Sequence, residues 1–279
     1  VEVPAIFRQE IFDIYKVDGH ITKKQFLNLL TEMGVLESSP RIRESVENLR
    51  QYSDDEKLTA EQLYQAVQPN VSYVEKILKG NVIIPDFKSL TTEVKDIFDR
   101  VRGTKSGAVA SYIPQLKRVD PEKYAISVCT TSGQQFHYGD ADEVYCVQST
   151  CKPINYCLAL EEVGEEIVHQ HVGREPSGAS FNALTLNSKG LPHNPMINAG
   201  AIMSCSLVKP NLFLSDRFDY ILERWQALGG REHVGFNNSV YLSEKRTADR
   251  NFALGYFMRE KGAFPTNVNL QETLDFYFQ

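Results

Sequence analysis

No run of about 18 apolar residues occurs in this 279-residue chain, so nothing in it reads as a membrane-spanning helix. No basic block or stripe interrupts the balance of 30 basic against 36 acidic residues, a formal net charge of -6. That argues against nucleic acid or an anionic lipid surface as the main partner. The five cysteines (Cys129, Cys146, Cys151, Cys157, Cys205) are odd in number and show no CxxC pair and no Cys/His ligand spacing. A disulfide framework and a zinc site are therefore disfavoured, and free thiols in a reducing compartment are expected. Internal repeats and low-complexity tracts are also missing. What remains is ordinary for a globular chain: 42% hydrophobic and 24% charged residues, enough for a sizeable core.

The chain opens at Val1 without an initiator methionine and closes on the apolar run Leu274 to Gln279, without a capping glycine or polar tail. The expectation is that further chain lies beyond. Residues 1–80 show helical spacing: Ile11, Ile14 and Tyr15, then Phe26, Leu29 and Leu30, then Val46 and Leu49. Two turns, around Asp18-Gly19 and Asp54-Asp55, echo EF-hand calcium loops, each followed by an aliphatic residue. Their ligands are wrong, however. Ile14 and Lys16 stand at carboxylate positions of the first loop, and Gln25 replaces its bidentate glutamate. A small helical association module without calcium is expected.

The segment Gly80 to Asp86 marks a joint, with a helix following near Thr91 to Val101. Tyr124 to Cys129 and Gln135 to Tyr138 read as a hairpin around Ser132-Gly133. A helix then opens at Gln148 to Pro153 and runs toward Gly164, and three more cover Met196 to Leu207, Ser215 to Leu228 and Asp249 to Lys261. Strands first and helices afterwards indicate an α+β class, divided into residues 1–80 and 81–279.

Ser149 and Lys152 stand three apart at a helix start, so their side chains share a face. Helix-start N–H groups favour developing negative charge, and a lysine lowered by burial can take the serine proton. Ser149 also fits a helix cap beside a solvated lysine, and both readings stand. A second Ser-x-x-Lys, Ser206 to Lys209, falls before Pro210 at a helix end, where the dipole opposes an oxyanion. In Pro192 to Ile202 a proline-bracketed turn leads into a small-residue helix, with Asn198 near its start as hydrogen-bonding group or local cap. Glu244 and Asn251 are seven apart, which on one helix is two turns and a shared face. There they would bind an α-ammonium and an α-carboxylate, or simply be solvated. His137, His169, His171 and His193 share no spacing and read as structural or surface residues.

Taken in order, Gln148 to Pro153, Val172 to Gly178, Pro192 to Ile202, Asp249-Arg250-Asn251 and Leu274 to Gln279 resemble the glutaminase family over roughly residues 81–279. The first 80 residues resemble the EF-hand-like module of the animal kidney- and liver-type members. The resemblance implies a serine-β-lactamase-like (DD-peptidase-like) catalytic domain that hydrolyses the side-chain amide of L-glutamine to glutamate and ammonia. It implies Ser149 as nucleophile, Lys152 as its proton acceptor, and Tyr112, Asn198, Glu244, Asn251 and Tyr277 as substrate-binding residues, with no metal and no cofactor. It further implies a homo-oligomer (dimer, tetramer or filament), phosphate activation, and a mitochondrial location, or otherwise a cytoplasmic one. Ala183 stands where relatives often carry a lysine, which bears on phosphate regulation. The family's catalytic domain continues past the equivalent of Gln279, into a further active-site tyrosine, a Lys-Ser-Gly strand and a second oxyanion donor.

Two rival readings stand beside this one. A penicillin-binding protein or β-lactamase should carry Ser-Asp-Asn after the Ser-x-x-Lys helix, and this chain has no such tripeptide. A noncatalytic, truncated or regulatory subunit that assembles with full-length chains is the rival from a different class.

Overall fold

The computed structural model describes residues 3–230 and 233–279. The chain falls into two compact units, Val1–Gly107 with Pro121–Glu143, and Ala108–Asp120 with Val144–Gln279.

In the first unit, Ala5–Phe7, Arg8–Phe12 and Asp13–Tyr15 follow one another as a helix with a π-turn in its middle. The helices Lys23–Glu32, Arg43–Leu49, Ala60–Val67 and Val71–Leu78 close around Phe7, Ile11, Phe26, Leu30, Leu49, Leu63 and Ile77, all buried. The two EF-hand-like turns meet as a short antiparallel pair, β1 (Ile21–Thr22) and β2 (Lys57–Leu58), with Ile21 opposite Leu58 and both side chains buried. The glutamines at the bidentate-ligand positions are spent on capping boxes. Gln25 Oε1 accepts the Thr22 N–H at 2.8 Å, and Gln62 Oε1 accepts the Thr59 N–H at 2.9 Å. Each satisfies an otherwise orphaned helix-start donor, so the last ligand position serves helix initiation.

The next helix, Phe87–Arg102, begins earlier than the expected Thr91 because Asp86 caps it, accepting the Ser89 N–H at 3.1 Å. The hairpin is present as β3 (Ala125–Cys129) and β4 (Gln135–Gly139), register Ser127 opposite His137. These two-stranded pairs are the sheets of the described residues. The contact-defined boundary lies at Gly107, and the hairpin is counted with the helical module, whereas the sequence suggested a joint near residue 80. Buried Gln134 supplies the physical reason. Its amide donates to the carbonyls of Met33 (3.1 Å) and Ile84 (2.9 Å), while Tyr73 OH donates to Ser132 O at 3.0 Å.

In the second unit the regular elements among the described residues are helices, joined by long irregular segments such as residues 173–197. The centre is Asn198–Leu207, in which every residue is buried. Around it pack Lys152–Val163, Asp249–Glu260 and Leu270–Phe278. The small residues of NAGA permit this close approach. A Cβ on Gly200 would lie 1.9 Å from the carbonyl oxygen of Asn194, so only glycine fits against the Pro192–Pro195 turn. The helix end is held by Arg217, itself buried, whose Nη2 donates to Cys205 O at 2.6 Å and Nε to Val208 O at 3.1 Å. Its guanidinium also lies over the Phe276 ring at 4.3 Å. A cation at a helix C-terminus satisfies orphan carbonyls and complements the dipole together.

Candidate active site

Ser149 lies in a 3-10 turn, Gln148–Cys151, that leads directly into the Lys152–Val163 helix, with Pro153 in the first helical turn. The residue before it, Gln148, is held in the left-handed region at φ 44. A non-glycine residue there carries backbone strain of a kind found at functional turns. Tyr112 OH donates to Gln148 Oε1, bracing the turn from outside. Ser149 is exposed, and it is not the cap of the helix: the caps of the 3-10 turn and of the helix are Val147 and Cys151, and neither makes a side-chain capping bond.

Lys152 is not solvated either. It is buried, and its ammonium donates to Asn198 Oδ1 at 2.7 Å. Asn198 in turn donates from Nδ2 to Asn251 Oδ1 at 3.0 Å, giving a buried Lys152–Asn198–Asn251 chain. Burial drives the Lys152 pKa down, with Cys151 opposing. A lysine so placed moves toward the neutral form that can accept a proton, although among the described residues no hydrogen bond joins it to Ser149. Asn198 is the first residue of its helix, and its own N–H donates to Phe181 O at 2.9 Å. The Phe181 ring lies 5.8 Å from the Lys152 ammonium, near enough for a cation–π contact.

A crevice of about 180 Å³, too narrow to hold water, runs beside this chain and is lined by Cys151, Lys152, Ala201, Cys205 and Tyr277 among others. Burial pushes the Tyr277 hydroxyl well above its usual range, and the Cys205 thiol to about 12. The five cysteines are free.

Glu244 and Asn251 do not share a helix, contrary to the spacing argument. The chain breaks at Thr247-Ala248, ending Asn238–Arg246 and starting Asp249–Glu260. Asn251 faces Asn198, whereas Glu244 lies within electrostatic reach of Tyr112 and Tyr277. Its Oε2 is buried without a hydrogen-bond partner among the described residues, and burial raises its pKa. Tyr112 is 56% exposed, its pKa pushed up to about 12 by partial burial, then by Glu244 and Cys146.

The second Ser-x-x-Lys has no such geometry. Ser206 Oγ donates back to Met203 O at 2.7 Å, and Lys209, beyond the helix end, pairs with Glu162 at 2.7 Å. Two of the histidines make structural bonds away from the serine, His169 with Tyr156 OH at 2.8 Å and His171 with Ala263 O at 2.6 Å. Gln148 and Phe181 are the residues that sequence reasoning did not single out. Their signals, a left-handed non-glycine and a ring over a buried ammonium, exist only in three dimensions.

A serine on a strained helix-start turn, followed by a buried, hydrogen-bonded lysine, is an arrangement that acyl-transfer chemistry can use. Comparison with known proteins is specific. The Glutaminase family model matches residues 107–279, and an EF-hand domain model matches residues 7–85. The chain belongs to the glutaminase family. It is 42% identical over 280 residues to putative glutaminase 3 of Caenorhabditis elegans, covering 96% of this chain and 48% of that protein. It is 37% identical over 259 residues to the mitochondrial liver isoform of glutaminase from Rattus norvegicus, covering 91% of this chain and 43% of that one. Among solved structures, probable glutaminase ybaS matches with a TM-score of 0.63 and 29% identity, over 68% of this chain and 61% of the other. The glutamate form of Mglu matches at 0.58 and 29%, over 66% and 42%. The chain thus spans about half the length of the curated relatives it matches.

Proposed function

We propose that this chain carries the nucleophile-bearing part of a glutaminase that hydrolyses the side-chain amide of L-glutamine to L-glutamate and ammonia. The observation that carries the reading is the buried Lys152–Asn198 hydrogen bond, three residues after an exposed Ser149 at a helix start. Family membership supports it.

In the mechanism Ser149 Oγ attacks the γ-amide carbon while Lys152, made less basic by burial, takes its proton. The Ser149 N–H supplies one donor to the oxyanion. Collapse of the tetrahedral intermediate breaks the C–N bond, and the proton held by Lys152 leaves with ammonia. Water then hydrolyses the γ-glutamyl ester, regenerating Ser149 and releasing glutamate. No metal or organic cofactor takes part.

Tyr112 lines the glutamine pocket, and Asn198, Glu244, Asn251 and Tyr277 bind the substrate, mainly through its amino-acid end. Glu244 suits the α-ammonium, because an arriving cation offsets the cost of ionising a carboxyl whose Oε2 has no partner. Asn198 and Asn251 suit the α-carboxylate. The fold that goes with this chemistry is serine-β-lactamase-like over residues 81–279, preceded by an EF-hand-like module over residues 1–80. Homo-oligomeric assembly and a mitochondrial location accompany the reading; the latter draws on the printed name of the rat relative. Phosphate activation is the part of the reading that Ala183, standing where relatives often carry a lysine, speaks against.

The test is ammonia release from L-glutamine, with and without phosphate, for the chain and for Ser149→Ala. Loss of at least about a thousandfold in the variant is expected for removal of a nucleophile. Equal rates in the two would overturn the serine mechanism.

A further inference from the structure

Glu244 sits on a helix that is only partly buried, packed between Pro114–Lys117 and Leu270–Phe278. No residue of Asn238–Arg246 is buried, unlike Leu270–Phe278, which buries Leu270, Thr273, Leu274, Phe276 and Phe278. A helix without a buried apolar stripe depends on its polar contacts for position. Those that reach the Leu270–Phe278 helix converge on Asp275. Lys245, the residue after Glu244, places its ammonium 2.6 Å from Asp275 Oδ1, and Asp275 lies two residues before Tyr277. Tyr241, one turn earlier on the same helix as Lys245, donates its hydroxyl to Asp275 Oδ1 at 3.4 Å and accepts from the Lys245 ammonium at 3.3 Å. The Tyr241 ring packs on the hydrophobic cluster containing Leu274 and Phe278. The helix that carries Glu244 is therefore tied through Asp275 to the helix that carries Tyr277.

We propose that the Lys245–Asp275 ion pair, steadied by Tyr241, is a positioning clasp that holds Glu244 with its Oε2 buried and so sets how tightly the substrate's amino-acid end is gripped. The substrate part of this statement rests on the glutaminase reading; the placement of Glu244 does not. Lys245 and Asp275 touch no reacting atom in the mechanism above, so they are positioning residues. Their side chains are 41% and 25% exposed, and pairs of that kind contribute little to overall stability. The fold is expected to survive their loss, so their effect falls on placement.

Two readouts test the clasp in Lys245→Met, in Lys245→Arg, and in the exchange Lys245→Asp with Asp275→Lys. The first is the titration of the Glu244 carboxyl by carbon NMR, assigned by its disappearance in Glu244→Gln. Removing the Lys245 cation would by itself push the midpoint up, because a nearby positive charge favours the carboxylate. Release of Glu244 into water moves it down. The expected result is a downward shift in Lys245→Met, with the wild-type midpoint kept in Lys245→Arg and largely restored in the exchange. An unchanged or raised midpoint in Lys245→Met overturns the proposal, as does a shift that the exchange leaves in place. The second readout is steady-state kinetics with L-glutamine. KM is expected to rise about fivefold in Lys245→Met with kcat within about twofold, as for a lost binding contact. An equal fall in kcat with KM unchanged overturns the binding role. If wild type releases no ammonia, the kinetic readout drops out and the carboxyl titration alone decides whether the clasp places Glu244.

Discussion

Lys152 and Asn198, 46 residues apart in sequence, meet at 2.7 Å inside the fold, ammonium to amide oxygen. Asn198 cannot turn its amide without losing Asn251, whose Oδ1 it bonds at 3.0 Å, so the oxygen is held toward the lysine. The arrangement satisfies a buried ammonium without neutralising it, since an amide oxygen carries only a partial charge. Burial is thereby free to lower the Lys152 pKa.

Asn198→Asp follows from this relationship. A carboxylate 2.7 Å from the ammonium favours the charged lysine and raises its pKa. Because the mechanism needs neutral Lys152, the acid limb of the kcat/KM profile is expected to move to higher pH by about one unit or more. A pH–rate series on glutamine hydrolysis measures it, and a limb shifted toward lower pH would contradict the role of Lys152 as base.

Glu244→Gln links the site to stability. The folded-state pKa of Glu244 is raised above its ordinary 4.5, so the folded chain holds that proton longer than the unfolded chain does. The stability it confers is complete below the unfolded value and is lost as pH rises through the folded one. Glutamine carries no such dependence. The variant is expected to melt higher than wild type near pH 8, with the gain vanishing toward pH 4, while glutamine binding is lost. Differential scanning calorimetry across that range decides it.

Gly200→Ala should be among the most damaging small changes. The added methyl would meet the Asn194 carbonyl oxygen at 1.9 Å and the Pro195 Cα at 2.8 Å, both backbone atoms that cannot step aside. A loss of about 3 kcal/mol is expected. Urea unfolding of the variant measures it, and a loss within about 0.5 kcal/mol would show that the Pro192–Pro195 turn yields.

Arg217→Met keeps most of the side-chain volume but removes the donors to Cys205 O and Val208 O. Leaving buried carbonyls unsatisfied costs about 1–3 kcal/mol. Arg217→Lys is expected to recover little, since one ammonium does not reproduce a planar fork that bonds two carbonyls and stacks on Phe276 at 4.3 Å. Chemical denaturation of the two variants side by side checks both statements.

Much of this protein is written locally. The Thr22–Gln25 and Thr59–Gln62 pairs place two helix starts through bonds spanning three residues, and the hairpin around Gly133 follows from strand formers flanking a turn. The small-residue run after Pro195 marks a helix that must be approached closely, and Ser149 stands at a helix start by virtue of the residues around it. These features depend on backbone preferences that a few neighbours settle. The tertiary structure decided what depends on partners distant in sequence. It buried Lys152 against Asn198, gave Asn251 to Asn198, and put Glu244 on a separate helix beside Tyr112 and Tyr277. It also set Phe181 over the ammonium and Lys245 against Asp275. A residue's spacing along the chain fixes which helix face it shares, but its desolvation, and with it the pKa on which the chemistry turns, is set by what packs over it from elsewhere in the chain.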